Sequence, residues 1–264
     1  MGTLTALILL AGCTGPSGHR GLMIDDSITS ESHSSRVRHI ILHYTSVDTD
    51  TSLRLLSQGN VSAHYLITDA LRPHIYRLVD EGQSAWHAGD SRWFEQASLN
   101  ATSIGVELVN QGRIDNPNGK PHWAPYPEQQ VNALIHLLQD LITRHNIPSE
   151  NIIGHSDAAP QRKTDPGPLF PWKQLAQSGI GRWYDESAAA SYKLALQQAP
   201  LPSTTWFQET LQTLGYNTPR NGTLDRATRN VIAAFQMHYR PSRHDGKPDI
   251  ETAAIMKALL QAKH

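Results

Sequence analysis

The sequence predicts an α/β protein, with a mixed central β-sheet flanked by helices and a small C-terminal three-helix module. Three observations lead there. Short runs rich in β-branched residues alternate with helical patterns along the first two thirds of the chain. One of those patterns, at 127–145, is a long amphipathic helix, and an Ala- and Pro-rich break near 184–203 separates this region from a purely helical remainder. At 264 residues the chain suffices for one substantial domain plus a small one.

Taken in order, residues 4–11 form an apolar run too short to span a bilayer but suited to the hydrophobic part of an export signal, and the run stops at Cys13. Residues 14–35 are dominated by Gly, Ser, Thr, Asp and His, and read as a flexible tether. The stretch 37–42 is expected to be a buried strand leading directly into His43-Tyr44-Thr45, with further strands at 63–68, 75–79, 103–109 and 152–153. A short helix is expected at 52–56. In the long helix, Val131, Leu134, Ile135, Leu138, Leu141 and Ile142 recur at helical spacing, with Pro127 at the start. These elements make residues 36–183 the main domain. Ala199-Pro200-Leu201-Pro202-Ser203 ends a linker assigned to 184–203, and 204–264 forms the helical domain. Its first two helices carry Trp206, Phe207, Leu211 and Leu214, then Leu224, Val231, Ile232 and Phe235; a third is expected at 252–262.

Charge and cysteine usage narrow the function. A formal net charge of −1 argues against nucleic acid as a partner, because such binding rests on neutralising phosphates with Lys and Arg. The single cysteine excludes an intramolecular disulfide framework and every Cys-based zinc site, whereas 14 histidines leave a His-plus-carboxylate metal site open.

The most informative segment is 154–167. His155 leaves a short strand, and Asp165-Pro166-Gly167 follows on the same loop, while His43 ends another strand and can supply a third ligand at the same rim. Two histidines, one carboxylate and a water form a zinc site with an open position, the arrangement of hydrolytic zinc. Each residue also has a plainer reading, His43 as a core histidine and Asp165 as a turn former, and spacing alone leaves both open.

Five motifs in order decide the matter further: His43-Tyr44-Thr45, Ser62-Ala63-His64-Tyr65, Ala85-Trp86-His87-Ala88-Gly89, the run 100–107 ending in Ile104-Gly105-Val106-Glu107, and 155–167. Over residues 36–180 the chain resembles the type 2 N-acetylmuramoyl-L-alanine amidases, which share their fold with the peptidoglycan recognition proteins. The resemblance implies one zinc ion held by His43, His155 and Asp165. It implies Glu107 as the catalytic acid/base and Lys163 as the cation stabilising the negative oxygen of the tetrahedral intermediate. It also points to Tyr44, His64, Trp86, His87 and Asn100 as substrate-cleft residues. The implied reaction is hydrolysis of the amide between N-acetylmuramic acid and L-alanine in peptidoglycan or muropeptides. Two alternatives share the fold or the metal: a non-catalytic peptidoglycan-recognition protein and a zinc peptidase cutting within the stem peptide.

Two further resemblances concern the ends of the chain. Leu10-Ala11-Gly12-Cys13 resembles the lipobox of bacterial lipoproteins, implying a lipidated Cys13, membrane attachment through that lipid and, with Thr14 rather than Asp next, a periplasm-facing place on the outer membrane. Leu214-Gly215-Tyr216, the run 221–228 and Ala233-Ala234-Phe235-Gln236 resemble a three-helix peptidoglycan-binding domain, with Asn221 where the usual motif has Asp and Asp225 where it has Gly. Both substitutions are expected to be tolerated in left-handed turns. The protein is expected to be a monomer.

Overall fold

The structure, a computed structural model, describes residues 24–117, 119 and 121–261. The expected export signal, residues 1–13 with Cys13, and the first part of the expected tether lie outside the described residues. The strands and helices run β1 His39–Tyr44, α1 Thr49–Gln58, β2 Tyr65–Ile67, β3 Ile75–Arg77, β4 Arg92–Trp93, β5 Gln96–Ala97, β6 Ser103–Leu108, β7 Arg113–Ile114, β8 His122–Trp123 and α2 Glu128–His145. There follow β9 Ile152–Gly154, α3 His155–Ala158, α4 Trp172–Gln177, α5 Glu186–Leu196, α6 Thr204–Thr213, α7 Arg226–Tyr239 and α8 Ile250–Gln261. All of them belong to one unit beginning at Ser35; in the other unit, residues 24–34 form neither helix nor strand.

The central sheet has the order β3-β2-β6-β1-β9, parallel throughout except for antiparallel β3, which makes it mixed as expected. Period-two alternation assigns its two faces. Ile40 and Leu42 of β1, Ile104, Val106 and Leu108 of β6, and Ile152 of β9 pack with Val131, Leu134, Leu138 and Leu141 of α2. The intervening Ile41 and Ile153 point the other way, into a cluster with Phe207, Val231 and Phe235 of the C-terminal helices. A strand covered on both sides must be apolar on both, which is why His39–Leu42 reads as an unbroken buried run. The same alternation puts His43 and Glu107 on the face opposite α2.

Helix ends follow local chemistry. Asp48 caps α1 by accepting from Thr51 N at 2.9 Å, and Asn146 closes α2 in the left-handed conformation at φ 52°. Residues 184–203, read as a linker, instead contain α5. Asp185 caps it, accepting from Ser187 N and Ala188 N, and it packs on α8 with Ala189 buried. Its Ala-rich sequence has no breaker before Pro200, so helix is the low-cost state; the Pro/Ser cluster marks only its end. Asn221 and Asp225 are accommodated, but not by left-handed backbone, which neither adopts. Asn221 Nδ2 donates to Asp225 Oδ2 at 2.9 Å, and Asp225 caps α7 by accepting from Thr228 N at 2.8 Å.

Candidate metal centre and cleft

Three adjacent parallel strands deliver the site. In register, His43 pairs with Glu107 across β1 and β6, and Leu42 pairs with Gly154, so that His155 emerges beside His43 at the carboxyl ends of the strands. Open α/β sheets bind their ligands at that edge. The loop after α3 returns through a bond from Ser156 N to Asp165 O at 2.8 Å, which brings the Asp165 side chain back to His155. The Nδ1 atoms of His43 and His155 then lie 2.9 and 3.0 Å from Asp165 Oδ2.

These three buried side chains each offer one donor atom, all within 4.8 Å of one another. Burial first, then the neighbouring His155, pushes the His43 imidazole down to about 4. Burial works against the Asp165 carboxylate, but the adjacent imidazoles, by charge and hydrogen bond, outweigh it and hold the group below the usual carboxylate range. Metal ligation requires an ionised carboxylate and bare ring nitrogens, so a metal would take the place of the protons in these bonds, and the donor set suits zinc. Glu107 adds a second carboxyl, with Oε2 buried and without a hydrogen-bond partner among the described residues. Burial, then the charge on Asp165, raises it to about 8 against the opposing pull of Lys163.

His43, His155, Asp165, Glu107, Lys163 and Tyr44 all line one cleft of about 340 Å³. Tyr44 Oη lies 3.2 Å from Thr164 Oγ1, and Trp86, 65% exposed, stands on the rim with Leu55 and Val61. His87 also lines this cleft, as expected, while His64 and Asn100 are not among its lining residues. His64 is wholly buried; its Nδ1 accepts from Gly105 N at 3.0 Å and its Nε2 donates to Gln83 O at 3.2 Å. Asn100 Oδ1 accepts from the backbone of His87 and Ala88 at 3.2 and 2.7 Å. His87 lies behind His43, with both ring nitrogens engaged and its basicity lowered by burial and by the surrounding imidazoles. Buried polar groups need partners, and these pairings hold the cleft wall in place.

Several contributors give no signal in the sequence. Arg162 donates through Nε to Asp90 O at 3.0 Å and through Nη2 to Ala88 O, tying the loop before Asp165 to residues 88–90. Asp157, inside the His155 segment, accepts from Gly154 N at 2.8 Å and Tyr216 Oη at 2.8 Å and pairs with His238 Nδ1 at 2.7 Å. His238 stacks on Trp172 with ring centroids 3.8 Å apart. The C-terminal helices thus reach the turn that carries a candidate ligand, a connection invisible to spacing because Asp157 and His238 are 81 residues apart.

Two histidines and a carboxylate at the carboxyl edge of a mixed sheet suit a metal-dependent hydrolase, and comparison with known proteins narrows the class. The family model described as N-acetylmuramoyl-L-alanine amidase matches residues 33–168, and this chain belongs to that family. A peptidoglycan binding domain model matches residues 201–256. The N-acetylmuramoyl-L-alanine amidase AmiD of Escherichia coli is 42% identical over 98% of this chain and 96% of its own. The structure of the Escherichia coli enzyme with anhydro-N-acetylmuramic acid-L-Ala-D-gamma-Glu-L-Lys superposes with a TM-score of 0.82 at 41% identity, covering 92% of this chain and 96% of that one. AmpDh3 of Pseudomonas aeruginosa, in complex with an anhydromuramic pentapeptide, also gives a TM-score of 0.82, at 39% identity over 90% of this chain and 97% of that one.

Proposed function

We infer that this protein hydrolyses the amide bond between N-acetylmuramic acid and L-alanine, releasing the stem peptide from peptidoglycan or its fragments. The observation that carries the reading is the convergence of His43, His155 and Asp165 with Glu107 in one cleft, on a chain similar over nearly its whole length to an amidase solved with a muramyl peptide. His43, His155 and Asp165 would hold zinc. Bound there, zinc supplies a Lewis acid for the scissile carbonyl and lowers the pKa of a coordinated water.

The chain's own groups complete the chemistry. Glu107, whose buried Oε2 has no partner among the described residues and which lines the cleft beside the candidate ligands, is suited to take a proton from the attacking water and pass it to the departing amine nitrogen. Lys163, on the cleft wall, provides the cation that offsets negative charge developing on the carbonyl oxygen. Trp86 and Tyr44 present aromatic surface to sugar or peptide at the rim.

A complete ligand set with an acid/base carboxyl favours an enzyme over a recognition protein. Incubation with purified muropeptides and identification of the fragments by mass spectrometry tests this: free stem peptide is expected. No cleavage refutes the enzyme, and cuts within the peptide establish a peptidase instead. Cys13 in its Leu-Ala-Gly-Cys setting supports lipid attachment and a periplasm-facing place on the outer membrane; among the described residues no helix is long and apolar enough to cross a membrane. Radiolabelled palmitate incorporation, lost in Cys13→Ala, tests that attachment. The C-terminal helices resemble a glycan-binding module, and their bonds to Asp157 support an additional role in holding the catalytic domain.

A further inference from the structure

Behind His43 runs a chain of buried polar groups whose hydrogen-bond direction is set at its far end. Ser103 Oγ lies 2.7 Å from Leu99 O, and a carbonyl oxygen can only accept, so the serine hydroxyl donates to it. The serine oxygen is then left as an acceptor for His87 Nε2 at 3.1 Å. A neutral His87 with its proton on Nε2 has its lone pair on Nδ1, and Nδ1 lies 3.0 Å from His43 Nε2. In the zinc-loaded protein, where the metal would take the place of the proton between Nδ1 and Asp165, His43 donates from Nε2 to that acceptor and keeps its lone pair on Nδ1, the atom that faces Asp165 and the candidate metal position.

The surroundings are built to keep the His87 ring in this place. Gly105 on β6 leaves the slot it occupies: a Cβ there would collide with the His87 ring. Asn100 Oδ1 holds the backbone N–H groups of His87 and Ala88, and fixes the angle at which the ring enters. Ser103, whose hydroxyl sets the direction, is completely buried, so the far end of the chain of bonds is shielded from water.

We propose that His87 is a positioning residue for the metal site, relaying the Leu99–Ser103 hydrogen-bond direction to His43 so that the Nδ1 lone pair of His43 is presented to zinc. This rests on the zinc reading above and extends it outward from the three ligands. An outer partner of a ligating imidazole selects its tautomer and orientation, and loss of such a partner typically weakens metal binding by about 10–100-fold.

The test uses the zinc-loaded protein with ¹⁵N-labelled histidine. Nuclear magnetic resonance of the imidazole nitrogens should show His87 protonated on Nε2 and bare on Nδ1; a proton on Nδ1 overturns the proposal without any substitution. Zinc affinity is then measured by chelator competition, alongside thermal melting. His87→Phe fills the ring volume but cannot accept, and should bind zinc about 10–100-fold more weakly. His87→Asn keeps an acceptor near the Nδ1 position and should stay within about threefold of the parent. A folded His87→Phe protein with parental affinity, or equal losses in both variants, overturns the relay. A parent protein that takes up no zinc refutes the zinc reading itself, a distinguishable failure.

Discussion

Glu81 offers the most quantitative prediction, because it anchors the segment from which Trp86, His87 and Ala88 descend. Its carboxylate accepts from Arg144 at 2.5 and 2.9 Å, lies 2.7 Å from His145 Nε2 and accepts from Tyr65 Oη. These bonds fasten the segment to the end of α2 and to β2. The Arg144 bonds foremost, with help from Tyr65 and His145 against the cost of burial, lower the Glu81 carboxyl from 4.5 to about 2. At ~1.36 kcal/mol per tenfold change in proton affinity, the ceiling on this stabilisation is about 3 kcal/mol. Arg144 is 42% exposed, so solvent screening reduces the expected cost of Glu81→Gln to about 1–2 kcal/mol. For a folded unit of this size that corresponds to a melting-temperature loss of roughly 2–8 °C. The sign in pH follows from the lowered carboxyl: the stabilisation is fully present above pH 4.5 and disappears as pH falls towards about 2. Calorimetry of both proteins should therefore show a gap at pH 7 that narrows from pH 5 to pH 3. A gap below about 1 °C at pH 7, or one that stays constant down to pH 3, would refute the assignment of stability to this carboxylate.

Other outcomes bear on the site directly. Asp165→Ala should lose most bound zinc by elemental analysis, since it removes the carboxylate on which both imidazoles converge; full occupancy would strike it from the ligand set. Glu107→Ala should retain zinc and lower turnover of muropeptide by at least about 100-fold, and parental turnover would exclude its acid/base role. Tyr216→Phe leaves Asp157 Oδ1 without its phenol donor in a buried setting, and should cost about 1–3 kcal/mol in denaturant unfolding. An unchanged midpoint would show that the C-terminal helices do not brace the His155 turn.

Local pattern by itself determined much of this protein. Buried strands at His39–Tyr44 and Ser103–Leu108 follow from runs of apolar and β-branched residues, and the Glu128–His145 helix from a 3.6-residue apolar stripe, because these periods are properties of the backbone. The candidate ligands His43, His155 and Asp165 and the carboxyl of Glu107 were legible through the resemblance of their motifs to the amidase family, whereas spacing alone left them open. Tertiary structure decided the rest. Composition suggested a linker where Glu186–Leu196 is helical and packs on Ile250–Gln261. Motif membership placed His64, His87 and Asn100 together at the cleft; the structure puts His87 on the cleft wall and pairs His64 and the Asn100 oxygen with backbone behind it. The two-residue strands Arg92–Trp93 and His122–Trp123 are too short to impose a period. Neither Asp157 meeting His238 nor His87 meeting His43 can be read along the chain, because each pair is 44 or more residues apart. Side-chain type and period are written locally, whereas the partner of a buried polar group is chosen only when distant segments close around it and exclude water.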